Sequence, residues 1–380
     1  MPIQCPLSVR LTSCSGKLTA KPSLPILENL QGLRGFAACC LLFRHAIHEV
    51  QVNTDLAFDP HEPHFTIGID LFFVLSGFIM VYTAQKLFGQ KGAWKTFMLR
   101  RIIRIVPLYW FYTCVFGLIA LLVPQILASI DLLTLSGFVK SLFFIPYENA
   151  DGYMKPFFDL GWTLNYEMFF YTVFAVFIFL RMPWMIIALS AFFLTGYMLR
   201  SFGISDDIFF MFYTRPLVME FMFGAWIGFL FINDIRLPAF MRIPCYALCV
   251  CLFGLIMFPD LIGGMNHYGG KAMLIASCFV ACLTLPRGAE SQKLPKWLKN
   301  IGDSSYTIYL SHPFALGAVT QGVILLGLQN TLSPWFVFAL CIGVAIIGGY
   351  IAYLIIEKPM TRGLKHLIVK RQQTGSADIS

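Results

Sequence analysis

The chain has 380 residues, 58% of them hydrophobic and 13% charged, with 28 Lys and Arg against 20 Asp and Glu for a net charge of +8. A water-soluble domain of this length is not built with so little charge, and the composition is that of a polytopic membrane protein. The basic excess lies in segments beside apolar runs, where it reports membrane orientation, so a nucleic-acid partner is excluded.

Residues 1–27 are rich in Ser, Thr, Pro and Lys and lack the apolar core of a signal peptide; they read as a flexible cytoplasmic tail. Ten apolar runs of spanning length follow, near 28–50, 67–85, 105–123, 160–180, 184–200, 213–232, 244–260, 271–286, 303–327 and 334–356. The run LSGFVKSLFFIPY at 135–147 is too short to span and is broken by Lys140, which makes it an interfacial or re-entrant segment of an outer loop. The sequence therefore predicts an all-α fold, a transmembrane helical bundle of about ten spans. It forms one membrane domain over 28–365, followed by a polar cytoplasmic tail over 366–380. Inner segments under this count collect Lys86, Lys91, Lys95, Arg100, Arg101, Arg104, Arg181, Arg236, Arg242, Arg287, Lys293, Lys296, Lys299, Lys358, Arg362 and Lys365, whereas the outer loops hold Lys140 and Lys155, with Arg200, Arg215 and Lys271 at span edges. That asymmetry predicts an even number of spans with both termini cytoplasmic. The eleven cysteines lie mostly in apolar runs, without metal or disulfide spacing, and read as small core residues; no metal site is expected.

Charged residues at membrane depth are costly and mark function or pairing. In the first span, LRGFAACCLLFRH, Arg34 and His45 are eleven residues apart. That is three helical turns, so they share a face about 16 Å apart along the axis and are expected to open on one lumen. His45 reads either as a general base or as a bundle histidine satisfied by a carbonyl. In MLRRIIRIVPLYW, Arg101 and Arg104 stand one turn apart ahead of Pro107, which is expected to open the third span. Their guanidiniums form either a fork for phosphate groups or a basic anchor for anionic lipid.

GIDLFFVLSGFIM carries Asp70 at the outer end of the second span, suited to orient an imidazole or to end the helix. WTLNYEMFFY places Glu167 two turns into a span, where it must be paired, protonated or hydrated. GDSSYTIYLSHPF offers Asp303 or Ser304 as an N-cap and His312 before Pro313, a histidine that lines the lumen or bonds backbone freed by the proline. Glu357, in IEKPM, reads as a structural ion-pair partner of the inner basic cluster. No GxSxG elbow, Walker lysine, HExxH or dinucleotide fingerprint is present.

Taken together and in this order, these six stretches resemble the acyltransferase-3 family of integral-membrane O-acyltransferases, above all its exopolysaccharide O-acetyltransferases, over about residues 28 to 365. The family's Arg, ten residues, His pattern falls on Arg34 and His45, and its Arg-x-x-Arg pattern on Arg101 and Arg104. The fourth-span motif departs from the commoner WSLSVE form but keeps Glu167. The resemblance implies a multi-pass protein of the inner membrane, with no bound cofactor, that uses cytoplasmic acyl-CoA, most simply acetyl-CoA, as donor. The acceptor it implies is a sugar hydroxyl of a surface polysaccharide or its lipid-linked precursor, with the polysaccharide-synthesis machinery as a partner. On this reading Arg101 and Arg104 hold the coenzyme A phosphates, Arg34 and His312 contribute to substrate binding, and His45 is general base or acyl carrier. Glu167 and Asp70 are the candidates to orient it. A carrier or flippase for a lipid-linked saccharide, its path lined by the same charges, is the alternative.

Overall fold

A computed structural model describes residues 27–53, 58, 60, 63–123, 134–149, 152, 154–264, 269–329 and 331–366. The tails expected at 1–27 and 366–380 lie outside the described residues apart from Leu27 and His366. The described chain is helical, its sheet-like pairing confined to one isolated bridge between Leu237 and Pro286.

Twelve α-helices follow one another among the described residues. They are α1 (Glu28–Asn53), α2 (Ile67–Ala84), α3 (Ala93–Leu122), α4 (Leu135–Leu142), α5 (Gly161–Phe177), α6 (Met182–Ser201), α7 (Ile208–Tyr213), α8 (Val218–Ile232), α9 (Arg242–Met257), α10 (Gly270–Thr284), α11 (Lys296–Leu325) and α12 (Pro334–Ala352). Ten of them coincide with the ten apolar runs. The other two, α4 and α7, have 8 and 6 residues. Length and apolarity sufficient to cross a membrane are reached by six: α2, α3, α6, α9 with the turn before it, α11, and α12 with its continuation to His366. α8 and α10 are apolar but have only 15 residues each, about 22 Å of helix against a hydrocarbon core of roughly 30 Å.

Burial sorts the helices into inner and outer. The apolar stretch of α2 is 72% buried, against 11% for that of α9 and 17% for that of α12, so α2 is central and the outer faces of α9 and α12 are left apolar and uncovered by protein. Such faces are stable against lipid and costly in water. α2 packs on α8, α1 and α10, while α11 lies between α1 and α12. Small residues set the closest approaches: a Cβ at Gly224 would stand 1.9 Å from the Val74 carbonyl, and one at Gly77 would stand 2.0 Å from that of Phe221. α2 and α8 thus touch backbone to backbone.

Two local expectations are corrected. Pro107 does not open a helix, because α3 begins at Ala93 and runs through it. The proline costs the Ile103 carbonyl its helical donor, which packing on both sides tolerates, and the Tyr306 hydroxyl donates to the nearby Ile105 carbonyl at 2.9 Å. Nor do Asp303 and Ser304 cap α11, which begins two turns earlier at Lys296. Ser304 sits inside the helix and donates back to the Asn300 carbonyl at 2.8 Å, the bond open to a mid-helix serine. The segment at 135–147 holds the short helix α4: Thr134 caps it by accepting from Gly137 N at 3.0 Å, and Trp110 on α3 donates to the Leu142 carbonyl at 2.8 Å.

Candidate functional site

The starts of α1 and α11 are tied by Glu28, which accepts from Leu294 N at 2.8 Å and Lys299 Nζ at 3.2 Å. A turn further on, a Cβ at Gly302 would fall 2.1 Å from the Gln31 carbonyl, so the glycine lets the two helices close where Arg34 projects. Arg34 donates to Gln31 Oε1 at 3.2 Å.

Arg101 and Arg104 meet different partners despite their one-turn spacing. Arg101 donates to the Thr83 hydroxyl in the last turn of α2, with its guanidinium 5.3 Å from the Phe97 ring and 5.6 Å from the Tyr171 ring. Arg104 donates to Glu357 at 3.0 Å, across 253 residues of chain. Glu357 is the last residue of a π-turn, Tyr353–Glu357, that continues α12, and its carboxylate, 3% exposed, also accepts from the Thr307 hydroxyl. Such turns often occur at functional sites. The ion-pair role read for Glu357 is the one found.

These three arginines line one cavity of about 130 Å³ together with Ser76, Thr163, Glu167, Tyr171, Tyr306 and Tyr309. Its interior is narrow, with space for several waters. Glu167 supplies the cavity's carboxylate and accepts from Ser76 Oγ at 2.9 Å and from the Tyr171 hydroxyl. At the end away from the arginines Tyr309 forms the wall, pinned by its hydroxyl to Thr163 Oγ1 at 2.9 Å and to the Leu160 carbonyl at 3.1 Å.

His45 is not among the residues lining this cavity. The lumen expected to join it to Arg34 therefore stops short of it. Its Nδ1 is 2.7 Å from Nε2 of His312, whose ring centroid lies 6.1 Å from that of Tyr309, so the histidine pair sits just behind the tyrosine wall. In this structure the group bonded to His45 is His312, and neither Asp70 nor Glu167, the two candidates to orient it, is bonded to it among the described residues. Glu167 is engaged by Ser76 and Tyr171. Asp70 on α2 and Glu220 on α8, the two helices that touch backbone to backbone, are both buried. Neither Asp70 oxygen has a hydrogen-bond partner among the described residues.

Reading the sequence overlooked Glu220, although a lone carboxylate in the apolar run PLVMEFMF carries the same warning as Glu167. It also overlooked Thr83, Thr307 and Tyr309, whose hydroxyls have no local signal and gain meaning only from partners far along the chain.

Comparison with known proteins adds to this geometry. The Acyltransferase domain family matches residues 27–354. The chain is 34% identical over 307 residues to the exopolysaccharide production protein ExoZ of Rhizobium meliloti (strain 1021), a stretch that covers 79% of this chain and 91% of that protein. No solved structure matches it.

Proposed function

The chain belongs to the acyltransferase family matched over residues 27–354, and from that premise we propose that it is a multi-pass inner-membrane O-acyltransferase. It moves an acyl group, acetyl in the simplest case, from cytoplasmic acyl-CoA to a sugar hydroxyl of an exopolysaccharide or its lipid-linked precursor. The acceptor class rests on the name of the relative, a protein of exopolysaccharide production, and contact with the polysaccharide-synthesis machinery follows from it. About ten spans with both termini cytoplasmic are part of the proposal, supported by the segregation of Lys and Arg.

One observation carries the reading: Arg34, Arg101 and Arg104 gather at one end of a cavity whose other end is walled by Tyr309, with an imidazole pair directly behind it. Three guanidiniums suit the phosphates of coenzyme A at the mouth. The narrow interior suits its thioester arm, and Glu167 balances part of the arginine charge. Displacement of the Tyr309 side chain brings the thioester to His45. There the acceptor oxygen attacks the thioester carbonyl while its proton passes to the imidazole; collapse of the tetrahedral adduct forms the ester and breaks the C–S bond, and the imidazolium returns the proton to the departing sulfur.

The test is label transfer from radioactive acetyl-CoA by the purified protein in lipid nanodiscs, with the host's polysaccharide or its lipid-linked precursor as acceptor. Ester-linked label and stoichiometric free thiol are expected. Movement of the lipid-linked saccharide across a bilayer without thiol release would replace this reading with a carrier.

A further inference from the structure

We infer that His312 is a positioning residue: it holds His45 in the tautomer that presents a bare Nε2 lone pair to the reacting groups. This rests on the proposed role of His45, and adds a partner and an atom to it.

The two rings lie in nearly one plane, 7° apart, with centroids 4.8 Å apart and the two facing nitrogens at 2.7 Å. That is an edge-on, in-line hydrogen bond, since a face-to-face stack could not bring single nitrogens so close at that centroid distance. One hydrogen occupies the contact, and the surroundings of His312 say which ring owns it.

Nδ1 of His312 is 3.3 Å from the Ile308 carbonyl, and the Tyr309 carbonyl, deprived of its helical donor by Pro313, lies beside it. A carbonyl only accepts, so Nδ1 of His312 carries hydrogen. The ring is 1% exposed and no carboxylate bonds it among the described residues, so a second proton would leave a buried charge without a counter-ion. Its Nε2 is therefore the acceptor, and the shared hydrogen belongs to Nδ1 of His45. A neutral His45 with hydrogen on Nδ1 has its lone pair on Nε2. That nitrogen has no protein partner among the described residues, and the residue is partly rather than fully buried.

The chain of donors runs from His45 through His312 to the backbone that Pro313 frees. It fixes the imidazole's rotation and its tautomer in one device. When Nε2 takes the acceptor's proton, Nδ1–H stays in place and goes on donating to His312. The same lone pair would be the nucleophile were His45 an acyl carrier, so the assignment of the atom holds for either role.

His312→Gln and His312→Met decide the matter, because the two side chains are close in size and the glutamine alone offers an oxygen where Nε2 stood. At matched membrane abundance, His312→Met is expected to lower kcat by between about tenfold and the roughly 10²–10⁴-fold of losing a base altogether, with KM for acetyl-CoA unchanged. His312→Gln is expected to recover most of the loss. Equal rates for Gln and Met, or a change confined to KM or to protein abundance, would overturn the inference and leave His312 a structural residue. His45→Ala, run alongside, separates the two ideas: near-normal transfer in that variant defeats the role of His45 itself, whereas loss in His45→Ala with wild-type kcat in His312→Met defeats the positioning alone.

Discussion

Arg101 and Arg104 share a face of α3, yet their partners give them different liabilities. Arg104 answers Glu357, a carboxylate 3% exposed, while its own side chain is 35% exposed. Truncation strands that carboxylate with the Thr307 hydroxyl alone. The cost should fall below the roughly 3–5 kcal/mol of a fully buried pair, and Arg104→Ala is expected to reduce the amount of folded protein in the membrane. Glu357→Gln in the same background should restore it, as immunoblots of washed membranes would show; failure to restore would mean that the pair is not what Arg104 contributes to stability. Arg101 leaves behind a neutral hydroxyl, so Arg101→Ala should fold normally. Its loss should appear instead in KM for acyl-CoA, by roughly tenfold to a hundredfold for one lost charge-assisted bond, with Arg101→Lys recovering part because it keeps charge without the planar fork. The spacing of these arginines was legible in the sequence because helical periodicity is local. Their partners were not: Glu357 is 253 residues from Arg104, and His312 is 267 residues from His45. Pairings at that range are decided by which helices become neighbours, and nothing in either stretch states that.

Helices join here through glycine, and that gives the elements their own test. A Cβ at Gly224 would meet the Val74 carbonyl at 1.9 Å, whereas one at Gly254 on α9 would meet nothing within 4 Å. Gly224→Ala should force α2 and α8 apart and lower recovery of folded protein, since backbone cannot move aside as a side chain can. Gly254→Ala should be neutral or stabilising by up to about 1 kcal/mol through helix propensity. Thermal unfolding in detergent compares the two, and equal midpoints would show that the α2–α8 contact is loose. Element existence was readable because each buried or lipid-facing helix needs an unbroken apolar run, and all ten runs became helices. Element ends were less so. α3 and α11 begin well before their apolar stretches, at Ala93 and Lys296, because turns that carry polar and charged residues extend them and hydropathy is blind to those turns. One proline misled for a related reason: Pro107, expected to open a span, lies inside a continuous helix, where neighbouring helices and side-chain hydroxyls make good the lost backbone bond.

Across the whole molecule, the heights of the charged groups argue for a reaction with two sides. Glu28 joins the starts of α1 and α11, which gives both helices a common origin. From Glu28, Arg34 lies about 9 Å along the axis and His45 about 25 Å, while His312 lies about 24 Å from Lys296. The histidines therefore meet at one height, as their hydrogen bond requires, and well beyond the arginines. If the common origin lies at the cytoplasmic surface of a hydrocarbon core roughly 30 Å thick, the arginines stand in its inner half and the imidazoles in its outer half. Donor phosphates then never leave the cytoplasmic mouth, and the acyl group is handed to a hydroxyl that arrives from outside. Vesicles holding the protein in one orientation test this, because acetyl-CoA does not cross a bilayer. Free thiol should form when acetyl-CoA is supplied on the side that carries the loop with Lys86, Lys91 and Lys95, provided the saccharide acceptor is on the opposite side. A reporter active only outside the cytoplasm, fused after Ser380, should stay silent and so place that loop's side inside. Equal thiol release with acetyl-CoA on either side, or with donor and acceptor confined together to the side away from those lysines, would mean that the arginine end is not the donor's entrance and that the orientation drawn from the basic residues is wrong.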